Sequence, residues 1–195
     1  MSESLTIPPG HTPGETWKAR PRRLRTGWFE KYAPENLSGI DIGCQRDPLT
    51  ETFRKWDVIY GDGDATYMEG VEDNSYHTVY ASHVLEHLDH PVIAIKNWYR
   101  ITKPGGHLII LVPSRTLYEK KPQPPSHWNH EHKWFWLPDE DDPPGCLNFR
   151  RIITEAIPSA TIVSFEILNE GWIDVGPLQH SCGEYSIEAI IRKTC

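Results

Sequence analysis

Apolar residues recur along this chain in two rhythms. Dense short runs, Gly39-Ile40-Asp41-Ile42-Gly43, Trp56 to Gly61 around Val58-Ile59-Tyr60, His77 to Ala81 and Leu108-Ile109-Ile110-Leu111-Val112, suit strands buried on both faces, as in a parallel sheet. Between them lies a helical rhythm. Val92, Ile95 and Tyr99, with Ala94 and Trp98 alongside, give one apolar face to a helix that begins near Pro91, with Asp89 placed to cap it. It must stop before Pro104, where Pro-Gly-Gly turns the chain. Shorter helices are predicted within Thr26–Leu37 (Trp28, Phe29, Tyr32), from Asp47-Pro48-Leu49 to about Lys55, and over Leu147–Ile157. Thr161–Leu168 and Tyr185–Arg192 are rich in β-branched residues and read as a closing antiparallel pair. The sum is an α/β fold: a doubly wound, mostly parallel sheet with an antiparallel terminal strand at its edge.

Two stretches follow neither rhythm. Residues 1 to about 25 are rich in Pro, Gly and charge and read as an extended arm. Residues 113–145 are dense in Pro, Trp and His and too long for an ordinary connection, so they read as a lid inserted into a single domain spanning 26–195.

Composition narrows the function. A chain of 195 residues with ordinary apolar content can build one core, and no apolar run approaches a membrane span. The polar N-terminus does not resemble a signal peptide, and four scattered cysteines without a C-x-x-C pair fit free thiols in a reducing cytoplasm. A net charge of −7 argues against a general nucleic-acid binder. The exception is Lys18, Arg20, Arg22, Arg23 and Arg25, either a solvated arm or a grip on an anionic substrate.

The candidate chemistry lies in four segments taken in order. Asp41-Ile42-Gly43-Cys44 ends the first strand with an acid and a glycine, Gly63-Asp64-Ala65 makes a turn, Ser82-His83-Val84-Leu85-Glu86-His87 follows another strand, and Lys103-Pro104-Gly105-Gly106 precedes the next. This series resembles the class I S-adenosylmethionine (SAM)-dependent methyltransferases, whose Rossmann-like fold it implies. The resemblance implies SAM as cofactor, with Asp41, Gly43 and Cys44 near its methionine part and Asp41 holding the ammonium. It further implies Asp64 and Ala65 at the adenine, Asp62 as the best candidate for the ribose, and Ser82 and His83 beside them. Gln45 stands where the family has a second glycine, and the Asp41–Asp64 interval leaves no room for a third strand with its own helix.

His127-Trp128-Asn129-His130-Glu131-His132-Lys133-Trp134 resembles a lid segment of small methyltransferases from polysaccharide gene clusters. That match makes His132 the first candidate for a general base, with His87 second, and a hydroxyl of a sugar or other glycan intermediate the expected acceptor. A phenol or quinone precursor, or a SAM-binding module without catalysis, are the alternatives. Trp128, Trp134 and Trp136 either stack on a sugar ring or pack the lid. The spacing of His127, His130 and His132 invites a metal, but no paired ligand motif stands nearby, so no metal site is expected.

Overall fold

The computed structural model describes residues 14–179 and 181–194. Eight strands and four helices follow one another as α1 (Glu15–Arg25), α2 (Trp28–Tyr32), β1 (Gly39–Ile42), β2 (Arg54–Trp56), β3 (Tyr76–Ser82), α3 (Pro91–Ile101), β4 (Thr102–Pro113), β5 (Phe135–Leu137), β6 (Cys146–Asn148), α4 (Phe149–Ala156), β7 (Thr161–Leu168) and β8 (Ser186–Arg192). Six of the strands form one sheet in the order β2-β1-β3-β4-β8-β7. The first four run parallel, and β8 is antiparallel to both β4 and β7. The antiparallel strand therefore lies inside the sheet, and β7 forms the edge, with Val163 and Ile167 exposed.

Alternation along these strands sorts the core into two layers. Ile40, Ile42, Val79, Ala81, Leu108, Ile110 and Val112 face Ala94, Ile95, Trp98 and Ile101 of α3 and Phe149, Ile152 and Ile153 of α4. On the other face Tyr80, Ile109, Leu111 and Ile190 meet Trp28 and Tyr32 of α2, with Leu49 and Phe53. Helices cover both faces, as a parallel sheet requires.

Four local expectations need correction. Residues 47–53 form turns and bends and 54–55 already belong to β2, so no helix lies here: the Thr50 hydroxyl accepts from the Phe53 N–H, and such side-chain bonds compete with helical ones. The strand expected over Trp56–Gly61 is instead β2, which starts two residues earlier and ends at Trp56. Val58–Tyr60 is a 3₁₀ turn in which Val58 is 75% exposed, capped by the Asp57 carboxylate and closed by Gly61 at φ +83°. Among the described residues no strand lies between β2 and β3, in line with the short interval. Asp89 does not cap α3; it pairs with Lys133, while Pro91 occupies the first turn. The Lys103–Gly106 turn is absorbed as a bulge into β4, and a Cβ on Gly106 would lie 2.3 Å from the His77 carbonyl oxygen.

The described part of the expected extended arm is the helix α1, and four of its five cations pair with acids, Arg23 within the core and Arg25 at the surface. Lys18 pairs with Glu15, Arg22 with Glu184, Arg25 with Glu170, and the fully buried Arg23 donates to the Tyr80 hydroxyl and approaches Glu188. Residues 113–145 are also stitched to the body. Ser114 bridges Trp136, β5 pairs with β6, and the Lys133 N–H donates to the Glu86 carbonyl.

Candidate active site

Parallel strands present their ligands at their carboxyl ends. There a cavity of about 310 Å³ opens beyond β1 and β3. Gly43, Cys44 and Gln45 form its floor after β1; Ser82, His83, Glu86 and His87 come from the end of β3; Tyr118, Asn129 and His132 come from the insert. Glu15 and Thr16 of α1 and Tyr185 close it. A larger hollow of about 1000 Å³ lies between α1, α2 and the loop after β1, but it contains none of the residues from the ends of β3 and β4. The smaller cavity is therefore the one with the chemistry.

Gly43 has φ +71°, and a Cβ there would meet Val84 at 2.3 Å, so only glycine fits this turn. Gln45 also adopts a left-handed backbone, at φ +46°, and its N–H donates to the Asp57 carboxylate at 3.0 Å. Asp57, buried directly after β2, thus ties the ends of β1 and β2 together. Sequence reading missed it because the strand had been placed over Trp56–Gly61, which put the strand-end acid at Asp62. Asp62 instead accepts from the Asp57 N–H at 3.1 Å and pairs with Arg54.

Of the residues assigned to the cofactor, Asp41, Gly43, Cys44, Ser82 and His83 line the cavity, and Asp62, Asp64 and Ala65 do not. Asp64 is exposed and accepts from the Thr66 N–H at 2.6 Å, while the Ala65 carbonyl accepts from the Trp98 indole at 2.8 Å. Asp41 is buried, accepts from the Leu49 N–H at 2.6 Å, and is pushed up to about 8 by desolvation. Burial likewise pushes the Cys44 thiol up to about 12. His83, at φ +55°, shares a hydrogen bond of 2.8 Å with Ser186 through Nε2.

The two candidate bases meet at an acid that the sequence did not single out. Glu86 is fully buried, and desolvation raises its pKa well above the ordinary carboxylate value. Its Oε1 lies 3.7 Å from His83 Nδ1, 4.0 Å from His87 Nε2 and 3.8 Å from His132 Nε2. His132 is itself buried, and its Nδ1 lies 2.6 Å from Oε1 of Glu119, a second fully buried acid. His87 Nδ1 faces the Glu131 carbonyl at 3.3 Å; burial first, and then His132, lower its pKa. His127 and His130 are exposed and stand apart from this group. Of the tryptophans, Trp136 is fully buried in the core, Trp134 packs partly against it, and the Trp128 indole donates to the Tyr118 carbonyl at 2.9 Å.

Acids dominate the walls: Glu15, Asp41, Asp47 and Glu86 line the cavity, with Arg46 the one cationic side chain among the lining residues.

Residues 24–110 match the family described as a methyltransferase domain. Solved structures share the fold. The [4+2]-cyclase SpnF superposes with a TM-score of 0.57 at 16% identity, covering 91% of this chain and 82% of that one. A SAM-dependent methyltransferase from Archaeoglobus fulgidus gives 0.52 at 18%, covering 90% and 92%. One from Mesorhizobium loti gives 0.53 at 12%, covering 92% and 98%. No curated protein matches the sequence significantly. The sheet and its strand-end cavity define a Rossmann-like fold, and residues 24–110 within it carry the methyltransferase-domain match. The family match over residues 24–110 and the shared fold are consistent with the class I SAM-dependent methyltransferase superfamily, and they imply S-adenosylmethionine as the cofactor. No helix among the described residues is long and apolar enough to cross a membrane.

Proposed function

We propose that this protein transfers a methyl group from S-adenosylmethionine to a hydroxyl of a sugar or glycan intermediate. The observation that carries this reading is the buried Glu119–His132 pair, at 2.6 Å, on the wall of the cavity. Glu119 accepts the Nδ1–H of His132, which fixes the tautomer and leaves Nε2 as the basic atom. Such a base takes the proton from a hydroxyl as its oxygen becomes nucleophilic, typically contributing about 10²–10⁴-fold. The cofactor supplies an electrophilic methyl group on a sulfonium. The protein's further task is alignment of the acceptor oxygen, for which Gly43, Ser82 and His83 form the floor on the cofactor side and Tyr118, Asn129 and His132 the wall on the acceptor side.

A polyhydroxylated acceptor suits this wall better than a phenol or a quinone precursor. Thr16, Ser82, Tyr118 and Asn129 offer hydrogen-bonding groups around the cavity. Residues 120–131, half-buried to exposed apart from the buried Ser126, are in our reading the segment that closes over the acceptor. Fold alone does not select the reaction, as the similarity to a cyclase shows.

The test is a screen with labelled S-adenosylmethionine against nucleotide sugars, simple glycosides, catechols and phenols. Label in an alkali-stable sugar ether is expected. Label in the phenols alone would transfer the function to the small-metabolite reading. Cofactor binding without turnover on any acceptor would favour a binding module.

A further inference from the structure

Glu86, His87 and His132 present three potential ligand atoms within 4.8 Å of one another, drawn from two segments 45 residues apart in the chain. Two features separate this group from an accidental cluster. Both oxygens of the fully buried Glu86 lack a hydrogen-bond partner, although burying an uncompensated acid is expensive. Each imidazole also points Nδ1 away from the centre, to the Glu119 carboxylate in His132 and to the Glu131 carbonyl in His87. That second contact is the one that metal-binding histidines make: it fixes the tautomer and leaves Nε2 free to ligate.

We propose that Glu86, His87 and His132 bind a first-row divalent cation such as Zn²⁺ or Fe²⁺, with Glu119 as a positioning residue behind His132. Two imidazoles and one carboxylate form a set that such ions accept while keeping open positions. Bonds of about 2.1 Å hold ligand atoms no more than about 4.2 Å apart. The Glu86–His87 and Glu86–His132 separations of 4.0 and 3.8 Å already meet that limit, and slight side-chain rotation centres the ion. The charge of Glu86 is then compensated. His127 and His130, the histidines nearest in sequence to His132 that first invited a metal, are exposed and outside the group.

The site rests on the same cavity as the proposed methyl transfer and changes how the proton leaves. With the cation bound, His132 Nε2 is a ligand, and the acceptor hydroxyl occupies an open position. The ion lowers the hydroxyl's pKa, its proton passes to solvent, and the resulting oxygen anion forms the new C–O bond as the methyl–sulfur bond breaks.

Binding is measured apart from activity. Untagged protein is stripped with chelator, dialysed against Zn²⁺ for elemental analysis, and titrated with Co²⁺ while its visible absorption is followed. One equivalent per chain is expected, with d–d bands of an ordered nitrogen–oxygen site. Glu86→Gln, His87→Ala and His132→Ala should each weaken binding by about 100-fold or more, and Glu119→Gln by about 10–100-fold. His127→Ala and His130→Ala should leave it unchanged, and circular dichroism checks that each variant folds. Sub-stoichiometric binding by the folded parent protein, or binding lost with His127 or His130 instead, would overturn the site. Calorimetry with S-adenosylmethionine on the stripped protein keeps the two readings apart: cofactor binding without cation binding removes the metal and leaves the methyltransferase.

Discussion

The two walls of the cavity are built differently. The strand-end wall, Gly43 to Gln45 and Ser82-His83, proposed to face the cofactor, hangs from adjacent parallel strands whose register (Ile42 opposite Ala81, Ser82 opposite Leu111) leaves little freedom. The opposite wall, Tyr118, Asn129 and His132, proposed to face the acceptor, comes from an insert held by a few anchors: β5, the Ser114 bridge and the buried Glu119. A repeating backbone pattern positions the first wall; individual buried side chains position the second. In the proposed reading, cofactor binding then rests on the sheet and acceptor alignment on those individual side chains.

The sharpest way to break this contrast is to remove an anchor. Trp136 is fully buried and packs edge-on against Phe149 at 5.6 Å, so Trp136→Ala should lower stability by about 3–5 kcal/mol in urea melts. Trp128→Ala, in the looser part of the insert, should lose less than about 2 kcal/mol. Equal losses at both positions would mean the insert is uniformly packed and has no movable part.

A comparable contrast runs along α1. Arg23→Ala leaves Glu188 buried without its cation and should lose about 3–5 kcal/mol, whereas Arg25→Ala breaks a pair that is 60% and 46% exposed and should lose far less in the same melts. Similar small losses at the two sites would return α1 to the loosely attached arm that its composition had indicated.

A smaller effect, spread over pH, comes from Asp41. Its folded-state pKa of about 8 stands above its ordinary 3.8, so the folded state holds a proton that the unfolded state has released. Stability from this group is present below that ordinary value and is lost as pH rises through about 8. Asp41→Asn removes the titration, so between pH 5 and pH 8 the variant's melting temperature should fall less than the parent's. Parallel profiles would show that Asp41 stays ionised in the fold. His107 acts with the opposite sign: burial lowers it to about 4, so its contribution is lost as pH falls from 6.5 towards that value.

The same division governs what the sequence revealed. Strands β1, β3 and β4 were legible because they are buried on both faces and therefore continuously apolar. Strand β2 was misplaced because it lies at the edge, where the apolar Val58-Ile59-Tyr60 run could turn outward without penalty. That error hid Asp57. His132 was found by resemblance, but Glu86 and Glu119 were not, since acids beside histidine or lysine read as surface residues. Their burial depends on contacts between distant segments, which no local pattern encodes.

The central claim is that chemistry is carried by His132 and its buried acids while the strand ends hold the cofactor. The most direct test measures S-adenosylmethionine affinity and methyl transfer together in the parent protein and in His132→Ala. The account predicts cofactor affinity within about threefold of the parent and turnover reduced roughly 10²–10⁴-fold. Unchanged turnover, or affinity and turnover falling in step, would contradict it.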